Sequence, residues 1–584
     1  MVNRTAILLS WISLNIVACV PLSTPAARPE PAGGIAEGEA TAMATAIATP
    51  TSAPSPTPGP GEPRLGGTLV VALDGPVGNL DPANTHDRPT GMVVRNMFDG
   101  LTAVTPEGEI VLELASSGQP LDELTWEFEL REGVHFHNGD LLTAEDVKFT
   151  FARIIQGESV GYPEPHRSPW QKLFAPLARV EVVDANTVRF HLLAPWPSIL
   201  QALAYQPVLP GDYLEAVGAG GFDAQPVGTG PFRFVNRTAE GGVILARFDD
   251  YYGGGADRLS AGPALLDGVI FRVIPDDAER VAALRAGEVD IIQTLPIKAV
   301  PEILDYIDVS ALPVSACGGI YTSTGETQKP RFAVGTAPGL RYYWLEMNVT
   351  RPPFDDVRVR QALNYAVNIE WVLQKQTRPA RGEPLAGLLS HHSPLVNPSL
   401  TPYRYDPDQA QALLAEAGYE PADIAFVLDS FEEDAAYAEA VAIELRRLGM
   451  DVAVQTWDAA TLSPLLLAGQ RAAYLGGWDD LVFDRTAIFA AKWHTGGRGN
   501  FSGYSNPRVD ELIEAGETEI DEIERHVIYS EVQRILWEDV PAVFLFQPMF
   551  IDSCSIRARN WMPMTNGRIS LRDVWLADEN GGGP

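Results

Sequence analysis

The chain has 584 residues, with 76 Asp and Glu against 43 Lys and Arg and a formal charge of −33. So acidic a chain offers no basic face to a phosphate backbone, which excludes a sequence-independent nucleic-acid binder and disfavours peripheral docking on anionic lipid. The stretch from about residue 64 to 578 is too long for one core and implies two or more lobes.

In chain order, the N-terminus reads as an export signal. Arg4 supplies a minimal positive region, and Ala6 to Val17 is mostly apolar but too short to span a bilayer. Ile16-Val17-Ala18-Cys19 is similar to a bacterial lipobox, so residues 1–19 are expected to be a lipoprotein signal peptide with Cys19 as the lipidated residue. A plain secretory signal with an incidental Cys is the alternative. Residues 20–64 are rich in Pro, Ala and Thr and cannot bury enough apolar surface to order themselves, so they read as a disordered tether. A flexible chain of that length reaches on the order of 35–40 Å r.m.s.. The C-terminal Asn580–Pro584 reads as a frayed tail, and no second long apolar run is present. Of the three Cys, Cys317 and Cys554 remain if Cys19 is lipidated; whether they pair is open.

The body opens with a strand over Gly67–Leu73 and a turn at Asn79–Pro82, and a short helix is expected over Val93–Leu101. Trp126, Phe128 and Leu130 then alternate with Glu127, Glu129 and Arg131, the period of a half-buried strand. Asn138-Gly139-Asp140 supplies a turn, and Thr143 is placed to cap a helix whose first turn holds Glu145 and Asp146. Val147, Phe151, Ile154 and Ile155 form its apolar face. Strands are expected at Val180–Val183 and Thr187–Leu193. Gly228-Thr229-Gly230-Pro231-Phe232 reads as a tight loop before a strand, its glycines permitting close backbone approach. It lacks the Lys-Ser/Thr and helix start of a phosphate loop. Val269, Phe271 and Val273 alternate, and Asp276 or Asp277 starts a helix closed by Gly287.

Thr322–Leu340 is polar and Gly/Pro-containing and reads as an extended loop. In Pro352–Ala366, Asp355 or Asp356 caps a helix carrying Val359, Ala362, Leu363, Ala366 and Val367 on one stripe, and Arg358 and Arg360 are expected to orient it through ion pairs. Helices ending at Gly418 and Gly449, a strand over Val452–Trp457 and a long helix over Ile520–Glu538 follow. This βα alternation implies a mixed sheet with helices on its faces.

Trp126–Arg153, Gly228–Phe232, Asp249–Gly253, Ala286–Ile292 and Pro352–Ala366 together resemble the ordered signatures of solute-binding protein family 5, the extracytoplasmic substrate-binding proteins of peptide, nickel and oligosaccharide ABC importers. The resemblance runs from about residue 65 to 575. Two departures stand out: Asp99 where the family usually has Glu, and Asn368-Ile369 where it has Asp-Arg. The resemblance implies an α/β, two-lobed periplasmic-binding-protein-like (type II) fold with an extra subdomain. Lobe I is expected at 65–105, 226–339 and 541–584, its subdomain at 106–225 and lobe II at 340–540. It also implies a monomeric binding protein, without catalysis or cofactor. Its partners would be a small polar solute, first a short peptide and then an oligosaccharide, and the ABC permease and ATPase complex. The expected location is the outer face of the bacterial cytoplasmic membrane, through the lipid anchor.

In peptide-binding relatives a motif resembling Gly-Trp-x-Ala-Asp-Tyr-Pro-Asp-Pro carries an amine-binding Asp in the cleft. Aligned on Gly477-Trp478, that position holds Leu481, so the Asp is not carried over. Candidate ligand residues are Trp478, as a stacking plane or a core Trp, and Asp480 and Asp484, as hydroxyl or cation acceptors or surface acids. Asn79 and Asp81 after the first strand are ligand contacts or turn caps, and Trp493, with His494 and Asn500, lies in a Gly-rich loop that reaches toward the cleft. His391-His392 do not converge as metal ligands, and no metal site is expected. No nucleophile elbow, zinc spacing or Walker loop is present. A solute receptor is therefore weighed against a lipid-anchored sensor without transport and a secreted hydrolase with an unrecognised site.

Overall fold

The computed structural model describes residues 63–577 apart from 86, 107, 157–167, 256–261, 294, 296–298, 300–331, 377–381, 391, 392, 394, 480–485, 565 and 566. Cys19, Cys317, Asp480, Asp484 and the His391-His392 pair lie outside the described residues. Pro58–Pro584 forms one unit.

The strand Thr68–Leu73 lies between Gly268–Val273 and Ile291–Ile292, parallel to both. Val243–Arg247 and Phe232–Arg237 extend this half of the sheet antiparallel. The other half is built on Ala425–Phe431, parallel to Asp451–Trp457 and Ala473–Asp479, with Arg341–Met347 next to it. One strand, Ala542–Ser555, joins the halves. Its first residues pair with Arg341–Met347 and its last with Ile291–Ile292 and Phe332–Pro338. Val543, Leu545 and Phe546 enter the core of the second lobe, whereas Cys554 enters the core of the first. Cys554 is fully buried and disulfide-bonded.

The local readings largely correspond to the structure. Trp126, Phe128 and Leu130 are buried in a four-stranded antiparallel sheet that shares the first lobe's core. Helix Ala144–Ile155 covers it, with Val147, Phe151 and Ile154 fully buried. Its entry is fixed by the Asp146 carboxylate, which accepts both the backbone N–H and the hydroxyl of Thr143 at 2.9 Å. Two separate signatures prove to be one joint. His137 Nε2 meets the Gly230 carbonyl at 2.9 Å, and its Nδ1 accepts from the Gly228 N–H at 3.2 Å. This fixes the tautomer with hydrogen on Nε2, and burial holds the ring pKa down at about 4, so His137 stays neutral. A Cβ at Gly228 would lie 2.2 Å from the Met97 carbonyl oxygen and one at Gly230 2.5 Å from the Met97 carbonyl carbon, so only glycine fits.

Three expectations need correction. The helix expected at Val93–Leu101 lies at Arg88–Val94, because Asp87 accepts from the Thr90 N–H at 2.9 Å and starts it earlier. The stretch read as a loop up to Leu340 contains the strand Phe332–Pro338, whose partners are more than 200 residues away in sequence. Arg360 makes no ion pair as its orienting contact; its guanidinium donates to the carbonyls of Phe354, Asp539 and Val540. It thereby receives the end of the long helix Glu522–Asp539. Arg358 does pair, with Asp356. At the position where a family charge is missing, Asn368 accepts from the Trp371 N–H at 2.9 Å and caps the next helix.

Candidate functional site: the cleft at the crossing strands

Where the chain passes between lobes, Gly339 and Leu340 lie beside Pro548 and Met549. The Gly339 N–H donates to the Pro548 carbonyl at 2.8 Å, and a Cβ on Gly339 would fall 2.8 Å from that same oxygen. Gln547, 3% exposed, donates to the Gly339 carbonyl at 2.5 Å. The crossing is thus tied laterally by a buried amide rather than by bulky packing.

A cleft of about 660 Å³ opens on this crossing. Its floor is apolar: Leu340, Pro548, Met549 and Phe550. The first lobe contributes Thr85, Asp87, Arg88 and Gly91 from the loop and helix after the first strand, Trp170 and Tyr205, and Arg568 from the C-terminal segment. The second lobe contributes Arg341 and Asp479, cross-strand neighbours in register.

The two walls carry charge in different ways. On the second-lobe wall the Arg341 guanidinium is surrounded by acids, with Asp434 at 3.2 Å, Glu433 at 3.3 Å and Asp479 at 3.8 Å. Tyr343 donates its hydroxyl to Asp434 at 2.9 Å. Burial pushes the Asp434 and Asp479 carboxyls above their ordinary range, and Arg341 opposes that shift in both. On the first-lobe wall the Arg568 guanidinium lies 4.8 Å from the Tyr205 ring centroid, and Tyr205 in turn lies 5.8 Å from Trp170. The Trp170 indole N–H is anchored on the Pro82 carbonyl at 3.1 Å, which fixes the platform. Arg88 pairs with Asp74. Burial presses the Arg568 guanidinium below its ordinary value; Tyr205 opposes this and Arg95 adds to it.

Of the candidates read from sequence, the described ones, Trp478, Asn79, Asp81 and Trp493, are not among the residues lining this cleft. Trp478 is half-buried against the second lobe's core, with Arg498 at 4.8 Å and Lys492 at 5.3 Å from its ring; the cleft lining takes the next residue, Asp479. Trp493 is fully buried, edge-on to Trp344 at 5.9 Å. His494 meets Glu514 at 3.1 Å, and Asn500 donates to the His494 and Tyr504 carbonyls. Asp81 is fully buried and accepts from both terminal nitrogens of Arg153, at 3.0 and 2.6 Å, tying the first-strand loop to the subdomain helix. Asn79 is exposed and accepts from the Asp81 N–H at 2.8 Å. The cleft residues Arg341, Arg568, Trp170 and Tyr205 carry no local sequence signal, since only the sheet register and the chain's return bring them together. Among the described residues, no group of three or more His, Cys, Asp or Glu is placed to hold a metal ion.

Two lobes spanned by shared strands around a lined cleft define a solute-binding protein, and comparison with known proteins agrees. Residues 109–500 match the bacterial extracellular solute-binding proteins, family 5 (middle region), and the chain belongs to that family. It is 26% identical over 540 residues to the glutathione-binding protein GsiB of Pectobacterium atrosepticum, covering 87% of this chain and 94% of that one. Among solved structures it is similar to HbpA2 from Haemophilus parasuis, with a TM-score of 0.75 and 22% identity over 88% of this chain and 100% of that one. It is also similar to the ABC transporter-associated periplasmic binding protein DppA from Helicobacter pylori in complex with the peptide STSA, with a TM-score of 0.62 and 24% identity over 88% and 99% of the two chains. Among the described residues no helix is long and apolar enough to cross a membrane.

Proposed function

We propose that this chain captures a small peptide-like solute in the cleft at its crossing strands and delivers it to the permease of an ABC importer. The observation that carries the reading is the coincidence of family membership over residues 109–500 with a cleft lined from both lobes and from the strands between them. A solute touching both walls binds the closed form better than the open one, and that difference is what closure reports to a permease. The glutathione-binding relative, matched along 94% of its length, supports a short peptide or peptide conjugate as the solute. The lipobox-like Ile16–Cys19 and the Pro-rich tether support attachment to the membrane surface through a lipid on Cys19. Lobe I is then residues 65–105, 226–339 and the later part of 541–584, with its subdomain at 106–225, and lobe II is residues 340–540 together with the start of the crossing strand, whose Val543, Leu545 and Phe546 lie in the second lobe's core.

The test is native mass spectrometry of the purified chain for co-purifying solute, followed by uptake of that solute into vesicles carrying the cognate permease. A stoichiometric peptide-like mass and uptake that depends on this protein are expected. A purified chain that binds no solute, or whose solute is not taken up, refutes the transport role. Cys19→Ser is expected to move the protein from the membrane to the soluble fraction; unchanged fractionation refutes the lipid anchor.

A further inference from the structure

The polar side chains on the walls of the cleft are already engaged. The Thr85 hydroxyl donates to the Asn79 carbonyl at 2.9 Å, and the Asp87 carboxylate accepts from the Thr90 N–H at 2.9 Å. Arg88 pairs with Asp74, and Arg341 stands among Glu433, Asp434 and Asp479. Arg568 lies on the Tyr205 ring, and further contacts engage Arg88, Arg568 and Tyr205. A charged group of a solute entering here would have to displace a partner in place and leave it unpaired, which cancels much of what the new bond contributes.

The apolar surface is what the cleft leaves uncovered. Trp170, Leu340, Met549 and Phe550 are each half-buried, neither withdrawn into a core nor free on the outside. They come from three separate segments and meet in one concavity of about 660 Å³. Leu340 and Trp170 pack against the small cluster of Val104, Ala204 and Tyr205, so wall and floor are continuous. Phe550 sits against Gly567, where a Cβ would lie 3.3 Å from the ring. The Trp170 plane is held by its indole N–H on the Pro82 carbonyl at 3.1 Å. Apolar side chains fixed around an open concavity accept an apolar group at little ordering cost.

We propose that Trp170, Leu340, Met549 and Phe550 form a side-chain subsite for an aromatic or branched aliphatic group, and that the cleft selects its solute by this apolar contact. This rests on the reading of the cleft as the solute site. It specifies a short peptide or peptide-like solute carrying a bulky apolar side chain, with its charged ends contributing little to affinity. Met549 and Trp170 are specificity-determining residues, because they offer apolar surface from the crossing strand and from the subdomain to the same group.

The test uses the full chain, with trialanine and its analogues bearing a central Leu or Phe, each with free ends and with both ends blocked. Calorimetry is expected to show the Phe peptide binding roughly 10–100-fold more tightly than trialanine, with Leu between them. Blocking the ends is expected to change affinity by no more than about fivefold. Met549→Gln, which keeps the side-chain length and loses its apolar character, is expected to shrink the Phe-over-Ala preference while leaving the circular dichroism and melting of the ligand-free protein in place. Trp170→Ala is expected to shrink it from the other wall. Affinity that is flat across the side-chain series, or that collapses when the ends are blocked, overturns the apolar subsite and leaves the solute-binding reading intact. A preference that survives undiminished in both variants also overturns the subsite. Binding of a sugar or a metal chelate in place of every peptide overturns the solute class alone. No binding of any probe and no co-purified solute overturns both readings. Should either variant fail to fold, the side-chain series on the unmodified chain decides the matter.

Discussion

Two buried charge sites, one in each lobe, are built in opposite styles. In the second lobe one acid meets one base: Glu346 and Lys492 form an ion pair, each side chain 2% exposed. The Lys492 ammonium also lies 4.5 Å from the Phe501 ring and 5.3 Å from Trp478. Burial pushes Glu346 up and Lys492 down, and each opposes that shift in the other. In the first lobe two acids compete. Asp99 and Glu113, both 1% exposed, share Arg572, and Arg95 stands 3.9 Å from Glu113. Burial, then repulsion from Glu113, raises the Asp99 carboxyl to about 7 despite Arg572, Arg95 and Tyr252. A one-to-one pair is balanced within itself, whereas Asp99 shares its arginines with Glu113 and is raised by it.

The contrast is broken most severely by removing half of the matched pair. Lys492→Ala leaves Glu346 buried without its cation and is expected to cost about 3–5 kcal/mol in urea unfolding. The double change Lys492→Met with Glu346→Leu is expected to recover most of that loss, because it removes both desolvated charges. If the single and double variants are equally destabilised, packing rather than charge dominates the site. Asp99 gives the next test. Its folded pKa lies above the unfolded value, so the folded state holds the proton more tightly. Stability from this group is present below about pH 4 and is lost as pH rises through about 7. Asp99→Asn is expected to flatten the fall in melting temperature between pH 5 and 8 relative to the unmodified chain. Parallel profiles would remove Asp99 from the account. The smallest effects belong to the caps, one in each lobe. Thr143→Ala and Asp356→Ala are each expected to cost about 1 kcal/mol, with little dependence on which lobe is touched. Unequal costs would show that the lobes differ in more than buried charge.

What was legible in sequence was local. Thr143 with Asp146, and Val147 with Phe151 and Ile154, specify helix Ala144–Ile155 within one short window. The strand Phe332–Pro338 was not legible, because its identity comes from pairing with Met549–Ser555. The same physics hides the cleft. Arg341 and Asp479 meet by cross-strand register, Arg568 arrives from the C-terminal segment, and Trp170 and Tyr205 come from separate turns of the subdomain. Sequence reading reached Trp478, one residue short of the lining. Side chains alternate along a strand, so one position decides between cleft and core. Asp81 reads in sequence as a ligand contact or a turn cap; it accepts from the Ala83 N–H at 3.0 Å as a turn cap does, and it also binds Arg153, a partner 72 residues away that no local pattern reveals.

The 14-residue strand Ala542–Ser555 also governs how the molecule can be cut. A fragment ending near residue 540 would strip an interior strand from both halves at once and leave two raw hydrogen-bonding borders prone to aggregation. Neither half can be expressed as a minimal binding module by simple truncation, and an insertion for a reporter belongs in an outer turn such as Asn138–Asp140.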